Sequence, residues 1–99
     1  MYRRALAIQR QLLGSVHRST ASTLNNMARA VSARGEPAEA IGMIEEALRI
    51  REELLGPEHP AVATSLSDRG KVLLELGRVE ESRASLSRAL RIYQEGAGP

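Results

Sequence analysis

The side chains that could do chemistry are few and repetitive. His17 and His59 stand 42 residues apart in a sequence without cysteine, so a zinc shell built on them would lack thiolates and a nearby carboxylate cluster. Pro60 follows His59 directly, which reads as a turn opening a helix rather than as a ligand loop. Serine and threonine are plentiful, but none lies in a nucleophile elbow and neither histidine has an evident orienting acid. Glutamates at 45–46, 52–53 and 80–81 fall at helical surface spacing, which fits a solvated, convex face rather than catalysis. The eight glycines fall at turns, helix contacts and the tail, not in a phosphate-cradling loop. The expectation is a non-catalytic chain that holds neither metal nor cofactor.

Composition shows what must position these residues. The chain has 99 residues, 42% hydrophobic and 26% charged, which suits one globular domain or a piece of a longer array. With 14 alanines, 13 leucines, no Phe or Trp, and only Tyr2 and Tyr93 as aromatics, it favours packed helices over sheets. No apolar run approaches the ~20 residues that span a bilayer, and Met1-Tyr2-Arg3-Arg4-Ala5 leads into an amphipathic stretch rather than a secretory core. A cytoplasmic chain with no membrane partner is expected. The net charge of +2 is unevenly distributed: residues 1–35 hold six arginines and no acid, and 36–58 hold seven glutamates against Arg49 and Arg51. The basic third could touch phosphates, but the lack of Phe and Trp for base stacking and the spread of its arginines over more than one helix face weigh against nucleic acid. The opposed charges suggest complementarity between neighbouring helices instead.

An internal repeat organises the chain. Arg4-Ala5-Leu6-Ala7-Ile8 returns as Glu46-Ala47-Leu48-Arg49-Ile50 and again as Arg88-Ala89-Leu90-Arg91-Ile92, each step being 42 residues. The same offset pairs Leu12-Leu13-Gly14 with Leu54-Leu55-Gly56, Leu24 with Leu66 and Gly35 with Gly77. Of the 57 comparable pairs 19 are identical, most of them at apolar or glycine positions, where chance would not concentrate them.

Within one period the pattern is helical. Ala40, Ile41, Ile44, Ala47 and Leu48 form an i, i+3, i+4, i+7 stripe, and Glu45 precedes Arg49 by the four residues of a surface ion pair. Gly35-Glu36-Pro37 separates two helices, Gly56-Pro57 stops the second, His59-Pro60 opens a third that runs to Gly77, and another spans about Val79 to Glu95. The offset places earlier helices near 1–13 and 19–34, the latter capped by Ser19 or Thr20. Small residues Ala28, Ala40, Ala47, Gly70, Ser82, Ala84 and Ala89 fall where helices must approach closely. The predicted fold is all-α, an α-solenoid of five antiparallel helices: a leading half repeat over 1–14, one repeat over 15–56, and a second over 57–99 with a short Gly/Pro tail.

These residues resemble a known family. Gly35 to Ala40, Ile44 and Ala47-Leu48 look like the second helix of a tetratricopeptide repeat, and Leu24-Asn25-Asn26-Met27-Ala28 looks like the first, with Ala28 at its small position. The 42-residue period and the segment 54–66, which begins Leu54-Leu55-Gly56-Pro57-Glu58-His59-Pro60, are similar to the kinesin-light-chain type of that repeat. Val31, Ile44, Leu73 and Leu86 occupy its usual aromatic positions, and Arg69 stands where it prefers an apolar residue. The resemblance implies a concave groove, lined by the first helix of each repeat, that takes an extended peptide or a partner helix. It places Ser22, Asn25, Asn26, Arg29 and Ser32 there, with Thr64, Ser67, Asp68, Lys71 and Glu75 beside them. Asparagine offers a peptide backbone both a donor and an acceptor, and Arg29 and Lys71, equivalent by the offset, would form a basic strip for acidic side chains or a carboxylate.

The ends of the array pose a separate question. Tyr2, Leu6, Ile8 and Leu12 at one end, and Leu90, Ile92 and Tyr93 at the other, have helical neighbours on one side only. The expected function is a non-catalytic protein-interaction module within a longer scaffold. The alternative is a structural element that forms homo-oligomers by stacking its uncapped ends, at about 25 cal/mol per Å² of apolar surface buried.

Overall fold

The computed structural model describes residues 18–97, and these form four α-helices and no strand: α1 (Arg18–Ala33), α2 (Pro37–Leu55), α3 (Pro60–Glu75) and α4 (Val79–Ala97). Shifting α1 by 42 residues gives the bounds of α3, and shifting α2 gives those of α4. The expected leading helix near 1–13, with Tyr2, Leu6, Ile8, Leu12 and His17, lies outside the described residues. Each helix packs on the next in sequence, and α1 also touches α3, the stacking of an α-solenoid. No helix among the described residues is long and apolar enough to cross a membrane.

Glycine makes the reversals between paired helices. Gly35 and Gly77 have φ of 85° and 78°, in the left-handed region that a Cβ disfavours. Their amides donate to the carbonyls of Ser32 and Leu74 at 2.9 and 3.0 Å, and the next amides, of Glu36 and Arg78, reach Val31 and Leu73 at 3.1 and 2.9 Å. Those paired bonds are a Schellman motif, repeated one period apart. Between α2 and α3, Gly56 (φ 89°) ends one helix, and His59 caps the other through Nδ1, which accepts from the Ala61 amide at 3.0 Å, with Pro60 in the first turn. The expected caps Ser19 and Thr20 instead lie inside α1. Thr20 sits at the repeat position of Val62, fully buried, and its hydroxyl finds no hydrogen-bond partner among the described residues.

Three apolar clusters hold the stack together. Ala28 and Val31 of α1 meet Ala40, Ile41 and Ile44 of α2 and Val72 and Leu73 of α3. Ala21, Leu24 and Met27 meet Ala47 and Ile50, and Val62, Ala63 and Leu66 meet Ala89 and Ile92. A fully buried side chain such as Ile44 or Leu73 stabilises the fold by about 2 kcal/mol. Ala28, Ala40, Ala47 and Ala89 are buried where helices approach, as are Gly70 and Ser82, while Ala84, expected among them, is exposed. Of the three α4 residues expected at the open end of the array, Leu90 and Tyr93 are exposed, but Ile92 is buried at 1% exposure. Ser82 and Ser85 donate to the Gly70 and Leu66 carbonyls at 2.7 and 2.8 Å, hydroxyls that pin α4 to α3.

The glutamates do more than solvate a surface. Glu45 pairs with Arg69 of α3 at 3.1 Å, not with Arg49, and Arg69 also reaches Glu81 of α4 at 3.9 Å. Glu52 holds Arg88 of α4 at 2.6 Å, and Arg49 turns to Glu53 at 3.5 Å. Complementarity between helices therefore exists, but these acids of α2 meet arginines of α3 and α4. Arg69, at its unusual position, bridges three helices instead of entering the core.

Three substitutions test this packing by thermal unfolding. Gly42→Ala, with nothing within 4 Å of the added methyl, should gain about 1 kcal/mol from helix propensity. Gly70→Ala should lose stability, since its Cβ would stand 2.5 Å from Leu86 Cγ, and Leu86→Ala should relieve that loss in the double variant. Thr20→Val should raise the melting temperature by removing a buried hydroxyl that has no partner among the described residues, worth about 1 kcal/mol.

Candidate functional site

α1 and α3, the first helices of the two repeats, lie side by side, and their facing positions are polar. Ser22, Asn25 and Arg29 follow one another at three- and four-residue steps, as do Ala61, Ser65 and Asp68, so each set occupies one face of its helix. Asn25 is 2% exposed; its Nδ2 donates to Asp68 Oδ2 at 2.7 Å, and its Oδ1 accepts from Ser65 Oγ at 3.1 Å. Arg29 Nη2 donates to the same Asp68 oxygen at 3.0 Å. From α2, Arg51 Nη1 donates to Ser65 Oγ at 3.0 Å and to the Ala61 carbonyl at 3.1 Å, and its Nη2 reaches Ser22 Oγ at 3.5 Å. An acceptor-only carboxylate thus sits between two donors, and the amide and hydroxyl pass the chain onward with each role filled. Burial lowers the Arg51 pKa, attraction to Asp68 opposes that, and the like charge of Arg29 lowers it further. The guanidinium stays charged at any ordinary pH.

Beyond Arg29 the two helices leave a cleft of about 420 Å³. Ala28, Ala33, Ile44 and Val72 supply its apolar lining, and Arg29, Ser32, Asp68, Lys71 and Glu75 its polar one. Ser32 Oγ donates to Glu75 Oε1 across it at 2.7 Å. Lys71 is exposed and makes no ion pair among the described residues, whereas Arg29 is tied to Asp68. The expected basic strip is therefore balanced within the cleft by Asp68 and Glu75.

Half of the ten expected groove residues come together here: Arg29, Ser32, Asp68, Lys71 and Glu75. Asn25 is enclosed in the contact between helices, where both ends of its amide are engaged. Ser22 is exposed and meets Arg51, while Thr64 Oγ1 donates to the Pro60 carbonyl at 3.3 Å and lies 3.3 Å from the Tyr93 hydroxyl. Asn26 and Ser67 lie outside the cleft lining. The sequence reading missed Ser65 and Arg51. Ser65 could have been found from its three-residue step to Asp68, but the reach of Arg51 depends on how α2 lies against α3. Among the described residues no three His, Asp or Glu side chains gather as a metal site.

The tetratricopeptide repeat profile matches residues 1–53 and again 32–95. The chain belongs to the tetratricopeptide repeat family. Its repeats are of the kinesin-light-chain-like kind. The crystal structure of BtubC (BKLC) from P. vanneervenii superposes with a TM-score of 0.91 at 28% identity, over 99% of this chain and 39% of that one. Nearly identical TPR-like repeats of a Podosopora anserina protein named for kinesin light chain superpose with a TM-score of 0.83 at 26% identity, over 99% of this chain and 46% of that one. This tetratricopeptide array thus spans less than half the length of either. Among curated proteins, none matches it. Tetratricopeptide repeats generally mediate protein–protein interaction, and the fold is typically a non-catalytic scaffold.

Asp68→Ala would strand the Asn25 amide and release Arg29. It should cost about 2 kcal/mol, seen as a lower urea midpoint at unchanged slope, whereas Ser32→Ala at the cleft mouth should change the midpoint little.

Proposed function

We propose that this chain is a protein-interaction module that takes an extended peptide or a partner helix in the cleft between α1 and α3. The observation that carries this reading is the cleft itself, with buried apolar side chains beneath a charged rim, in a family whose repeats serve protein binding. Apolar surface in the cleft supplies affinity, and a few convergent polar groups supply orientation. Because Asn25 is committed to Asp68 and Ser65, recognition falls to Arg29, Ser32, Lys71 and Glu75 at the rim. Lys71 is the cation best placed to meet an acidic side chain or a carboxylate of the partner. In an array as long as those of the structural relatives, this cleft would be one segment of a longer groove on a scaffold.

Selection of binders from a random peptide display library tests the reading. Selected peptides should bind about tenfold more weakly to Lys71→Glu, the loss of one charged hydrogen bond, and with unchanged affinity to Leu90→Glu. Far-UV circular dichroism of both variants should match that of the parent chain. A library that yields no binders, or binders indifferent to Lys71→Glu and to Ala33→Arg, would remove the assignment.

A further inference from the structure

Four charged side chains line the cleft between α1 and α3, and two of them neutralise each other. Arg29 is held by Asp68 at 3.0 Å, which leaves Lys71 and Glu75. Both are exposed, and neither forms an ion pair among the described residues. Lys71 stands four residues before Glu75 on α3, the weaker order for a pair one helical turn apart. Glu75 turns instead across the cleft mouth, where Oε1 accepts from the Ser32 hydroxyl at 2.7 Å. The carboxylate is thus met by a neutral donor.

That bond is not part of the repeat's stacking. One period away Leu74 stands for Ser32, and one period back Ala33 stands for Glu75, so the contact has no counterpart at either step. It joins two side chains at solvent rather than filling a core. Glu75 also shares the cleft lining with Ala28, Ala33 and Val72, which sets a carboxylate beside apolar surface. A lysine or arginine side chain matches that combination, with methylenes for the apolar lining and a charged tip for the acid. Arginine matches it best, because its planar fork donates twice to one carboxylate. A charged donor also displaces a neutral hydroxyl, since charge-assisted hydrogen bonds are about twice as strong. A purely acidic peptide would satisfy Lys71 but set like charge against Glu75.

We infer that the partner of this cleft is a peptide of mixed charge, which gives Glu75 an arginine or lysine and Lys71 an acidic side chain. The inference rests on the peptide-binding reading of the cleft and adds the second charge that its partner needs. On binding, the partner's cation takes Glu75 from Ser32, and the freed hydroxyl turns to the peptide backbone.

Parallel selections from one random peptide display library, on the parent chain and on Glu75→Gln, test this. Glutamine keeps the side-chain length and an acceptor for Ser32 while removing the charge, and the exposure of Glu75 allows the variant to fold. Peptides selected on the parent chain should carry a basic and an acidic residue together. Those selected on Glu75→Gln should lose the enrichment in basic residues. In a synthetic peptide from the parent selection, norleucine in place of the basic residue keeps the methylenes and removes the charge. It should weaken binding about threefold, the scale of one exposed ion pair, and that loss should disappear against Glu75→Gln. Selected peptides that are acidic without a basic residue, or that bind the parent chain and Glu75→Gln equally, would overturn the inference and leave the interaction module standing. A library that yields no binders would remove both.

Discussion

None of the four described helices can bury its apolar stripe alone, so each must lean on its neighbours in the stack. That constraint accounts for the rest of the architecture. The stripe of α2 is covered by α1 on one side and α3 on the other, and the three apolar clusters are the successive contacts of that stack. Reversals have to be short to bring consecutive helices back against each other. The positive-φ glycines at 35, 56 and 77 make them so by ending each helix in a backbone conformation that few other residues accept. Identical spacing then gives identical packing, and the helix bounds recur at 42 residues.

Side-chain size sets how closely the helices approach, and polar groups set their register. Ala28, Ala40, Ala47 and Ala89 let backbones come together, and the hydroxyls of Ser82 and Ser85 use carbonyls of α3 as fixed points. Between α1 and α3 the contact is not greasy. A carboxylate, an amide, a hydroxyl and two guanidinium groups complete one another's hydrogen bonds there, and an arrangement of that kind tolerates little sliding. The cleft beyond it exists because Ala28 and Ala33 are small where Arg29 and Lys71 are long. The same geometry that locks the two helices thus leaves an opening next to them.

Charges tie the layers on the outside. Arg69 to Glu45 and Arg88 to Glu52 join helices that are distant in sequence, and partial exposure keeps each pair modest in strength. They favour one arrangement of the stack over others more than they add to its stability.

Much of the fold was legible in the sequence. Apolar spacing of 3.6 residues, glycine and proline at the reversals, and the 42-residue identity determined the helices, their order and their family, because each depends on local conformation or on which face of a helix is apolar. Tertiary structure alone decided which polar residues face a partner and which face another helix. Asn25 and Asn26 are neighbours of the same type, yet Asn25 is buried between α1 and α3 while Asn26 is exposed. Glu45 has the spacing to pair with Arg49 and pairs with Arg69 instead. Long side chains choose among partners by distances of a few ångströms across helix contacts, and those distances follow from the packing of every residue in the interface. Ile44 and Leu86 are both apolar at equivalent positions, but Ile44 is enclosed by α1 and α3 together whereas Leu86 packs on α3 with no second helix over it among the described residues, which makes the first a core residue and leaves the second partly at the surface.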